Sequence, residues 1–202
     1  MVLKIKFRIL LTLCGEPVEN GVLVIENGNI LEIISESLNA NTHDALDLSD
    51  HLLMPGFVNT HSHLGLTALA DKISYSNSFS KWVCDLISLD SALSDEERKK
   101  SIILGASEMK SSGVTGLADY VADSASLGLI YELGFRSVLF LETIGFQDSK
   151  ADFLAHEMEE ILKTNKLNFP LGIAPHAPYS VSAYLFRRLY ELSKKYGCLL
   201  ST

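Results

Sequence analysis

Two histidines, His61 and His63, are the side chains of this sequence whose type and spacing most directly suggest chemistry. Residues 52–63 have the pattern of an apolar strand that carries both histidines at its carboxyl end. Because alternate side chains of a strand share a face, both rings should project from one side, about 6 to 7 Å apart along the backbone. Neutral imidazole is the commonest ligand of zinc-like ions, so the pair predicts a divalent metal site. The alternative is two unrelated strand or loop histidines. Three other histidines have no partner at a useful spacing and are expected at the surface: His43, His51 and His156.

Composition bounds the class of protein. Of the 202 residues 47% are hydrophobic, which is enough apolar material for a sizeable core. The net charge of −8 opposes binding to nucleic acid or to an anionic membrane. No apolar stretch approaches the roughly 20 residues of a membrane span. Three widely spaced cysteines, Cys14, Cys84 and Cys198, are typical of buried thiols in a reducing compartment. We therefore expect a cytoplasmic protein without nucleic acid or membrane as a partner.

The first fifty residues have the pattern of short strands. Asn27-Gly28 lies between the apolar runs 21–26 and 29–34, and this is the strongest short signal for a β-hairpin, because both central residues of a type I′ turn need positive φ. A polar stretch at 35–44 follows. We expect residues 1–50 to form a small, incomplete β-sandwich lobe; the alternative is that these strands belong to the main fold.

After the histidine pair, strands and helices alternate, which is typical of a parallel α/β fold. Ser94 and Glu97 have the spacing of a capping box, and Gly113 and Gly197 follow predicted helices at positions that favour left-handed backbone. About four strand–helix units plus the start of a fifth strand make half of a (β/α)₈ TIM-type barrel, whose full form usually needs about 250 residues. We expect residues 51–202 to be the first half of such a barrel, and its open edges predict self-association.

The run Pro-Gly-Phe-Val-Asn-Thr-His-Ser-His at 55–63 resembles the first barrel strand of the amidohydrolase superfamily of metal-dependent hydrolases. The resembled branch contains triazine hydrolases, guanine deaminases and deaminases of S-adenosylhomocysteine and related adenine nucleosides. The similarity continues through Trp82, Ser-Gly-Val-Thr at 112–115 and Ala-Pro-His-Ala-Pro-Tyr-Ser at 174–180, so it covers nearly the whole chain. The run at 55–63 is its most specific part.

The resemblance implies one divalent metal ion, zinc as first choice and iron as second, at the carboxyl ends of the barrel strands. His61 and His63 correspond to two of its ligands. In the family the remaining ligands are histidines after the fifth and sixth strands and an aspartate after the eighth, and a glutamate near the fifth-strand histidine moves protons. We therefore expect no catalytic residue within this chain, the catalytic groups to lie beyond Thr202, and the chain alone to be inactive.

Three further residues are candidate substrate contacts: His176, Glu142 and Trp82. His176, at the end of the fourth strand, corresponds to a family histidine that touches substrate; the alternative is a histidine satisfied by backbone groups in a turn. Glu142 ends the third strand and could accept hydrogen bonds from a substrate, or it could be a solvent-exposed carboxylate. Some nucleoside deaminases of the branch carry arginine there. Trp82 corresponds to a tryptophan that lines or supports the pocket, with a buried helix tryptophan as the alternative. Asp119, after the second strand, is only a candidate for shaping the pocket.

The resemblance implies a metal-dependent hydrolase of non-peptide carbon–nitrogen bonds that acts on a small heterocyclic molecule. We expect deamination of an adenine nucleoside such as methylthioadenosine, S-adenosylhomocysteine or aminofutalosine. Guanine deamination is disfavoured, because Leu64-Gly65-Leu66 follows the second histidine where those enzymes tend to carry Pro-Gln. Two alternatives stay open: a triazine-type chlorohydrolase and a non-catalytic half-barrel that assembles through its edges.

Overall fold

The protein is represented by a computed structural model that describes residues 1–35, 44–74, 77–165 and 169–202. The chain divides into two compact units, Met1–Gly56 and Phe57–Thr202. His43 and nearly all of the polar stretch predicted at 35–44 lie outside the described residues. The other two histidines predicted at the surface, His51 and His156, are both exposed, which confirms that expectation.

The described strands of the first unit form a single four-stranded sheet in the order β3-β2-β1-β4. β1 pairs antiparallel with β2 and parallel with β4, and β2 pairs antiparallel with β3. The second layer of the expected β-sandwich is not seen among the described residues of this unit. The strands are β1 (Val2–Leu10), β2 (Val18–Glu26), β3 (Asn29–Ser35) and β4 (Leu46–Leu53).

The hairpin between β2 and β3 confirms the prediction from Asn27-Gly28. The two residues have φ of 50° and 80°, as a type I′ turn requires. Phe7, which is buried with Leu10 and Leu23, packs close to Gly21. A Cβ at Gly21 would lie 2.8 Å from the Phe7 ring and 2.5 Å from the Ile34 carbonyl oxygen, so only glycine fits there.

The strand expected at residues 52–63 is two separate elements. Leu52 and Leu53 pair with Ile9 and Leu10 as the end of β4. The chain leaves the sheet at residues 54–56, where proline removes a backbone donor, and a new strand then starts at Phe57. The domain boundary expected after residue 50 therefore falls inside β4, because the parallel pairing of Leu52 and Leu53 with β1 holds the end of this strand in the first unit.

The second unit contains a five-stranded parallel sheet in which every strand pairs with the next along the chain. Helices connect the strands, as the parallel α/β pattern predicts. The closing half of a barrel stays a prediction. The elements are β5 (Phe57–Ser62), α1 (Phe79–Ser91), α2 (Asp95–Ser111), β6 (Val114–Val121), α3 (Ser126–Glu132), β7 (Arg136–Thr143), α4 (Ala151–Thr164), β8 (Leu171–Pro175), α5 (Ala183–Tyr196) and β9 (Leu199–Leu200).

The helix ends follow the local sequence signals. The Ser94 hydroxyl accepts a hydrogen bond from the Glu97 amide, and the Glu97 carboxylate accepts one from the Ser94 amide, which confirms the capping box at the start of α2. Gly113 and Gly197 have φ of 81° and 63° just after α2 and α5. These local devices fix where each helix stops and hence where the next strand begins.

The two faces of the parallel sheet carry different side chains, because neighbouring strand residues point in opposite directions. Leu139 and Ile173 are fully buried and belong to the large cluster that includes Leu185 and Leu189 of α5. The opposite face carries a smaller cluster of Tyr120, Phe140 and Ala174. The helices thus cover one face of the sheet, and aromatic side chains occupy the other.

The cysteines depart from expectation. Cys14 and Cys84 are exposed and Cys198 is half-buried, and all three are free thiols. The expectation of buried thiols is wrong for Cys84 because α1 has no buried residue, and wrong for Cys14 because it lies in the turn after β1. Among the described residues, no helix has the length and apolarity needed to cross a membrane.

Candidate active site

The histidine pair lies at the carboxyl end of β5, where His61 is the penultimate strand residue and His63 follows the strand. The two ring centroids are 5.2 Å apart at an interplanar angle of 64°. His61 stacks on the ring of Tyr120 at 4.2 Å, and His63 lies 5.7 Å from the same ring. Both imidazoles therefore meet on one side of the strand, as a shared metal ion would require.

His63 is held in a defined state by its surroundings. Its Nδ1 lies 3.1 Å from the Tyr120 carbonyl oxygen. When Nδ1–H donates to that carbonyl, the Nε2 lone pair is left for a ligand. Burial, and next the nearby His61, lower the pKa of His63, so the neutral ring is favoured. Neutral imidazole is the form that binds metal.

Asp119 lies on β6 directly across from Ser62 and is fully buried. Its Oδ1 accepts hydrogen bonds from the Ser62 hydroxyl at 2.8 Å and the Leu64 amide at 2.9 Å. Among the described residues its Oδ2 has no hydrogen-bond partner. Burial raises the pKa of Asp119 to about 6, although the two hydrogen bonds oppose this shift. Asp119 therefore binds the backbone segment that carries His63, whereas the sequence indicated only that it could shape the pocket.

A cavity of about 420 Å³ lies at this end of the sheet. It brings together four of the five predicted site residues. His61 is not among the residues that line the cavity. It stacks on Tyr120, whose side chain does line it. The lining includes His63, Trp82, Asp119, Tyr120, Glu142 and His176.

Glu142 and Trp82 both line the cavity: Glu142 is not solvent-exposed, and Trp82 is not fully buried in its helix. Glu142, on β7, is half-buried at the cavity, and burial raises its pKa while His61 acts in the opposite direction. It is therefore not a solvent-exposed carboxylate. Trp82, on α1, is half-buried and lines the cavity, with the Phe79 ring at 6.2 Å. These rings supply the apolar part of the wall.

His176 follows β8 and is held by its own loop. Its Nδ1 lies 2.6 Å from the Ser180 hydroxyl, and its amide donates to the Thr143 carbonyl at 3.1 Å. The ring also meets the edge of Tyr179 at 6.0 Å. Burial lowers the pKa of His176, so the ring is favoured as a neutral group at the cavity wall.

The cavity disfavours ionised side chains of both signs. Burial is the largest cause of each shift: it raises the pKa of Asp119 and Glu142 and lowers the pKa of His63 and His176. A bound cation stabilises ionised carboxylates and is best bound by neutral imidazoles. Burial thus favours the uncharged form of all four side chains at this cavity.

Two groups at the cavity were not found from the sequence: Tyr120 and Arg98. Tyr120 follows Asp119 at the end of β6, and its place beside the histidines depends on strand pairing. Arg98, on α2, contacts Asp90 at 2.7 Å and Asp123 at 3.9 Å. Its charge is therefore already balanced by carboxylates. Tyr120 lies beyond the strand predicted at 114–118, because β6 continues to Val121, and nothing local in the sequence marks its contact with His61.

The described residues offer only part of a metal site. Within the described ranges, no group of three or more His, Cys, Asp or Glu side chains is placed to hold a metal ion. A zinc ion usually needs three or four protein ligands. The neighbouring imidazoles of His61 and His63 could supply two ligands of a divalent ion, and its other ligands would come from outside these residues.

Comparison with known proteins agrees with this architecture. A family model described as "Amidohydrolase family" matches residues 52–202. The 5'-deoxyadenosine deaminase of Methanobrevibacter smithii is 33% identical over 191 residues, which cover 88% of this chain and 42% of that protein. The chain thus spans less than half the length of this relative.

Solved structures show the same fold. Helicobacter pylori aminofutalosine deaminase in complex with methylthio-coformycin superposes with a TM-score of 0.79 at 24% identity, covering 99% of this chain and 50% of that one. An adenosine deaminase from Xanthomonas campestris with bound zinc gives a TM-score of 0.76 at 19% identity, covering 98% and 48%. The α/β fold matches these barrel enzymes. With the family match across three quarters of its length, the chain belongs to the amidohydrolase family.

Proposed function

We propose that the protein containing these residues is a metal-dependent hydrolase that removes the amino group of an adenine nucleoside. The observation that carries this proposal is the neighbouring pair His61 and His63 at the end of β5, beside a cavity with acceptor and aromatic side chains. The relative from Methanobrevibacter smithii, named a 5'-deoxyadenosine deaminase, supports this substrate class.

The metal ion is proposed to be zinc, with iron as the second choice. His61 and His63 would bind it, and the remaining ligands would come from residues after Thr202. A bound divalent ion supplies hydroxide at neutral pH, because it lowers the pKa of water from 15.7 to about 7. The part played by the present residues is to hold two imidazole rings side by side, with Nδ1 of His63 at the Tyr120 carbonyl.

The substrate is proposed to lie in the cavity between Glu142, His176 and Trp82. Glu142 has the chemistry to accept hydrogen bonds from sugar hydroxyls or an amine. His176, whose Nδ1 lies at hydrogen-bond distance from the Ser180 hydroxyl, would contact the heterocycle with its other ring nitrogen. Trp82 offers an apolar surface on which a flat ring can pack.

This cavity favours an enzyme over a non-catalytic assembly module. A half-barrel that served only as an interface would gain nothing from burying Asp119 and Glu142 in a space where burial disfavours their charge. Such groups, gathered at the carboxyl ends of parallel strands, are typical of a barrel active site.

The chain of 202 residues alone is proposed to be inactive. Two imidazoles without further ligands bind a divalent ion weakly, and the acid–base groups that an amine leaving group needs are expected elsewhere. The test of function therefore requires the full-length protein.

The full-length protein, loaded with zinc, should release ammonia from at least one adenine nucleoside. The panel contains 5'-deoxyadenosine, methylthioadenosine, S-adenosylhomocysteine and aminofutalosine, with a chlorinated triazine as the comparison substrate. Conversion of the amino-purine is followed by its change in ultraviolet absorbance. Failure on every amino-purine, with the metal bound, would remove the deaminase proposal; turnover of the triazine alone would replace it.

A further inference from the structure

We infer that Asp119 is a positioning residue that fixes the backbone around His63 and thereby sets the geometry of the histidine pair. The inference deepens the proposed function, because it rests on that pair as the metal-binding element. It concerns how the chain holds two ligands at a strand end, where sheet pairing stops at Ser62, one residue before His63.

The contacts of Asp119 span His63 on both sides. One carboxylate oxygen, Oδ1, accepts from the Ser62 hydroxyl at 2.8 Å and from the Leu64 amide at 2.9 Å. The Ser62 hydroxyl also lies 3.0 Å from the Ala118 carbonyl oxygen. The residue before His63 and the residue after it are therefore both attached to the same atom of β6.

The sheet provides this restraint only as far as Ser62. The pairing of β5 with β6 shifts register between Asn59 and Ser62, the segment that contains His61, and its last pair is Ser62 with Asp119, before His63. The chain then enters a 3-10 turn at Leu64–Leu69, and the His63 side chain makes no capping hydrogen bond to that turn. The first amides of such a turn need an acceptor from elsewhere, and Asp119 supplies it for Leu64.

Tyr120, the next residue of β6, contacts the two imidazole rings, just as Asp119 contacts the backbone around His63. The Tyr120 carbonyl lies at hydrogen-bond distance from Nδ1 of His63, and the Tyr120 ring stacks on His61. A backbone shift at residues 62–64 would therefore displace both imidazoles from surfaces that they now contact. Groups that orient metal ligands in this manner typically contribute about 10- to 100-fold in metal affinity.

A carboxylate at position 119 is unfavourable for the stability of the folded protein. Its side chain is 0% exposed, and among the described residues Oδ2 has no partner. Burying an ionised oxygen without a partner is unfavourable, and an amide at this position would keep an acceptor with a smaller desolvation cost. A carboxylate that lines the cavity under these conditions indicates a role connected with what binds there.

The test uses Asp119→Ala and Asp119→Asn in the full-length protein, with zinc affinity and the absorption spectrum of the cobalt-substituted protein as readouts. Asp119→Ala removes both hydrogen bonds, so we expect about 10- to 100-fold weaker zinc binding and a changed cobalt spectrum. Asp119→Asn keeps the acceptor, so we expect the wild-type cobalt spectrum. Ser193→Ala, which removes a buried hydroxyl on α5, is the control for general destabilisation and should change neither readout.

Ser62→Ala guards against an Asp119→Ala variant that does not fold. It removes one of the two hydrogen bonds and should weaken zinc binding by a few-fold, about the contribution of one such bond. Wild-type affinity and spectrum in Asp119→Ala, or in Ser62→Ala if the former is unfolded, would overturn the inference. So would an Asp119→Asn spectrum as altered as that of Asp119→Ala.

These readouts depend on metal binding and not on turnover. A protein that binds cobalt but deaminates no nucleoside would contradict the proposed function and would still decide the role of Asp119. A protein that binds no divalent metal would contradict both.

Discussion

Two buried or partly buried carboxylates of the parallel-sheet unit have opposite environments. On the outer surface of α4 and α5, the Glu159 carboxylate accepts from Lys195 Nζ at 2.6 Å and the Tyr196 hydroxyl at 2.9 Å. These two contacts lower the pKa of Glu159 to about 2. At the carboxyl ends of the strands, burial raises the pKa of Asp119 to about 6.

The comparison of Glu159 with Asp119 shows that the fold compensates the charge of a carboxylate on the helix surface but not at the strand ends. The helix pair supplies lysines to the Glu159 carboxylate, whereas the guanidinium at the cavity, Arg98, pairs with Asp90 and Asp123. The charge that the cavity lacks is the charge that a divalent metal ion would bring. Side chains of the protein thus compensate the charge of Glu159, whereas no salt bridge among the described residues involves Asp119 or Glu142.

The largest effect should come from His63→Ala. Loss of one of two imidazoles leaves His61 without its partner, so deaminase activity of the full-length protein should fall by at least about 100-fold. Steady-state kinetics with the best nucleoside of the panel measures it. His156→Ala on exposed α4 is the matched control and should retain activity. Equal losses of deaminase activity in both variants would show that activity is no more sensitive to substitution at the strand ends than on the helix surface.

A core substitution on the helical side should change stability without changing the site. Leu185 is fully buried in the large cluster, so Leu185→Ala should lower the free energy of unfolding by about 2 to 5 kcal/mol. Tyr190→Ala, on the exposed side of the same helix, should change it by less than about 0.5 kcal/mol. Urea unfolding measures both. A larger loss of zinc affinity than of stability in Leu185→Ala would break the separation between the two regions.

Asp119→Asn should stabilise the metal-free protein above pH 6. The raised pKa of Asp119 means that the folded state holds a proton which the unfolded chain releases near 3.8. Wild-type stability therefore falls as the pH rises from about 4 through about 6, by about 1 to 3 kcal/mol. Asp119→Asn should lack this fall, as measured by unfolding at a series of pH values. Parallel pH profiles of wild type and variant would show that Asp119 is not desolvated as described.

Glu159→Gln should give the smallest effect, with the opposite sign. Because its pKa is lowered in the folded state, the wild-type carboxylate stabilises the protein above the ordinary value of 4.5, and that contribution is lost as the pH falls toward about 2. Glu159→Gln should therefore have a lower Tm than wild type at neutral pH and the same Tm at the acid end. Identical values across the whole range would remove this half of the comparison.

Features that depend on a few neighbouring residues could be predicted from the sequence. The hairpin at Asn27-Gly28 follows from the φ values that the turn needs, and the capping box at Ser94 follows from the unpaired amides of a helix start. The placement of His61 and His63 on one side follows from the two-residue period of a strand. Each is a local geometric requirement.

Features that depend on pairing between distant segments could not be predicted from the sequence. Leu52 and Leu53 belong to β4 because they pair with Ile9 and Leu10 of β1 some forty positions earlier, and no local pattern shows this partner. Asp119 meets Ser62 and Leu64, and Tyr120 meets the two histidines, because β6 lies beside β5 with a shifted register. Their own neighbours in sequence are ordinary strand residues, so the importance of the second strand end becomes visible only in three dimensions.

The most direct measurement of the central claim is the metal content of the full-length protein beside that of its His61→Ala/His63→Ala double variant. Both are purified in zinc-supplemented medium, with folding checked by circular dichroism. We predict about one divalent ion per chain in the wild-type protein and a small fraction of that in the double variant. Equal metal content in the two folded proteins would contradict the assignment of the histidine pair as the metal-binding element.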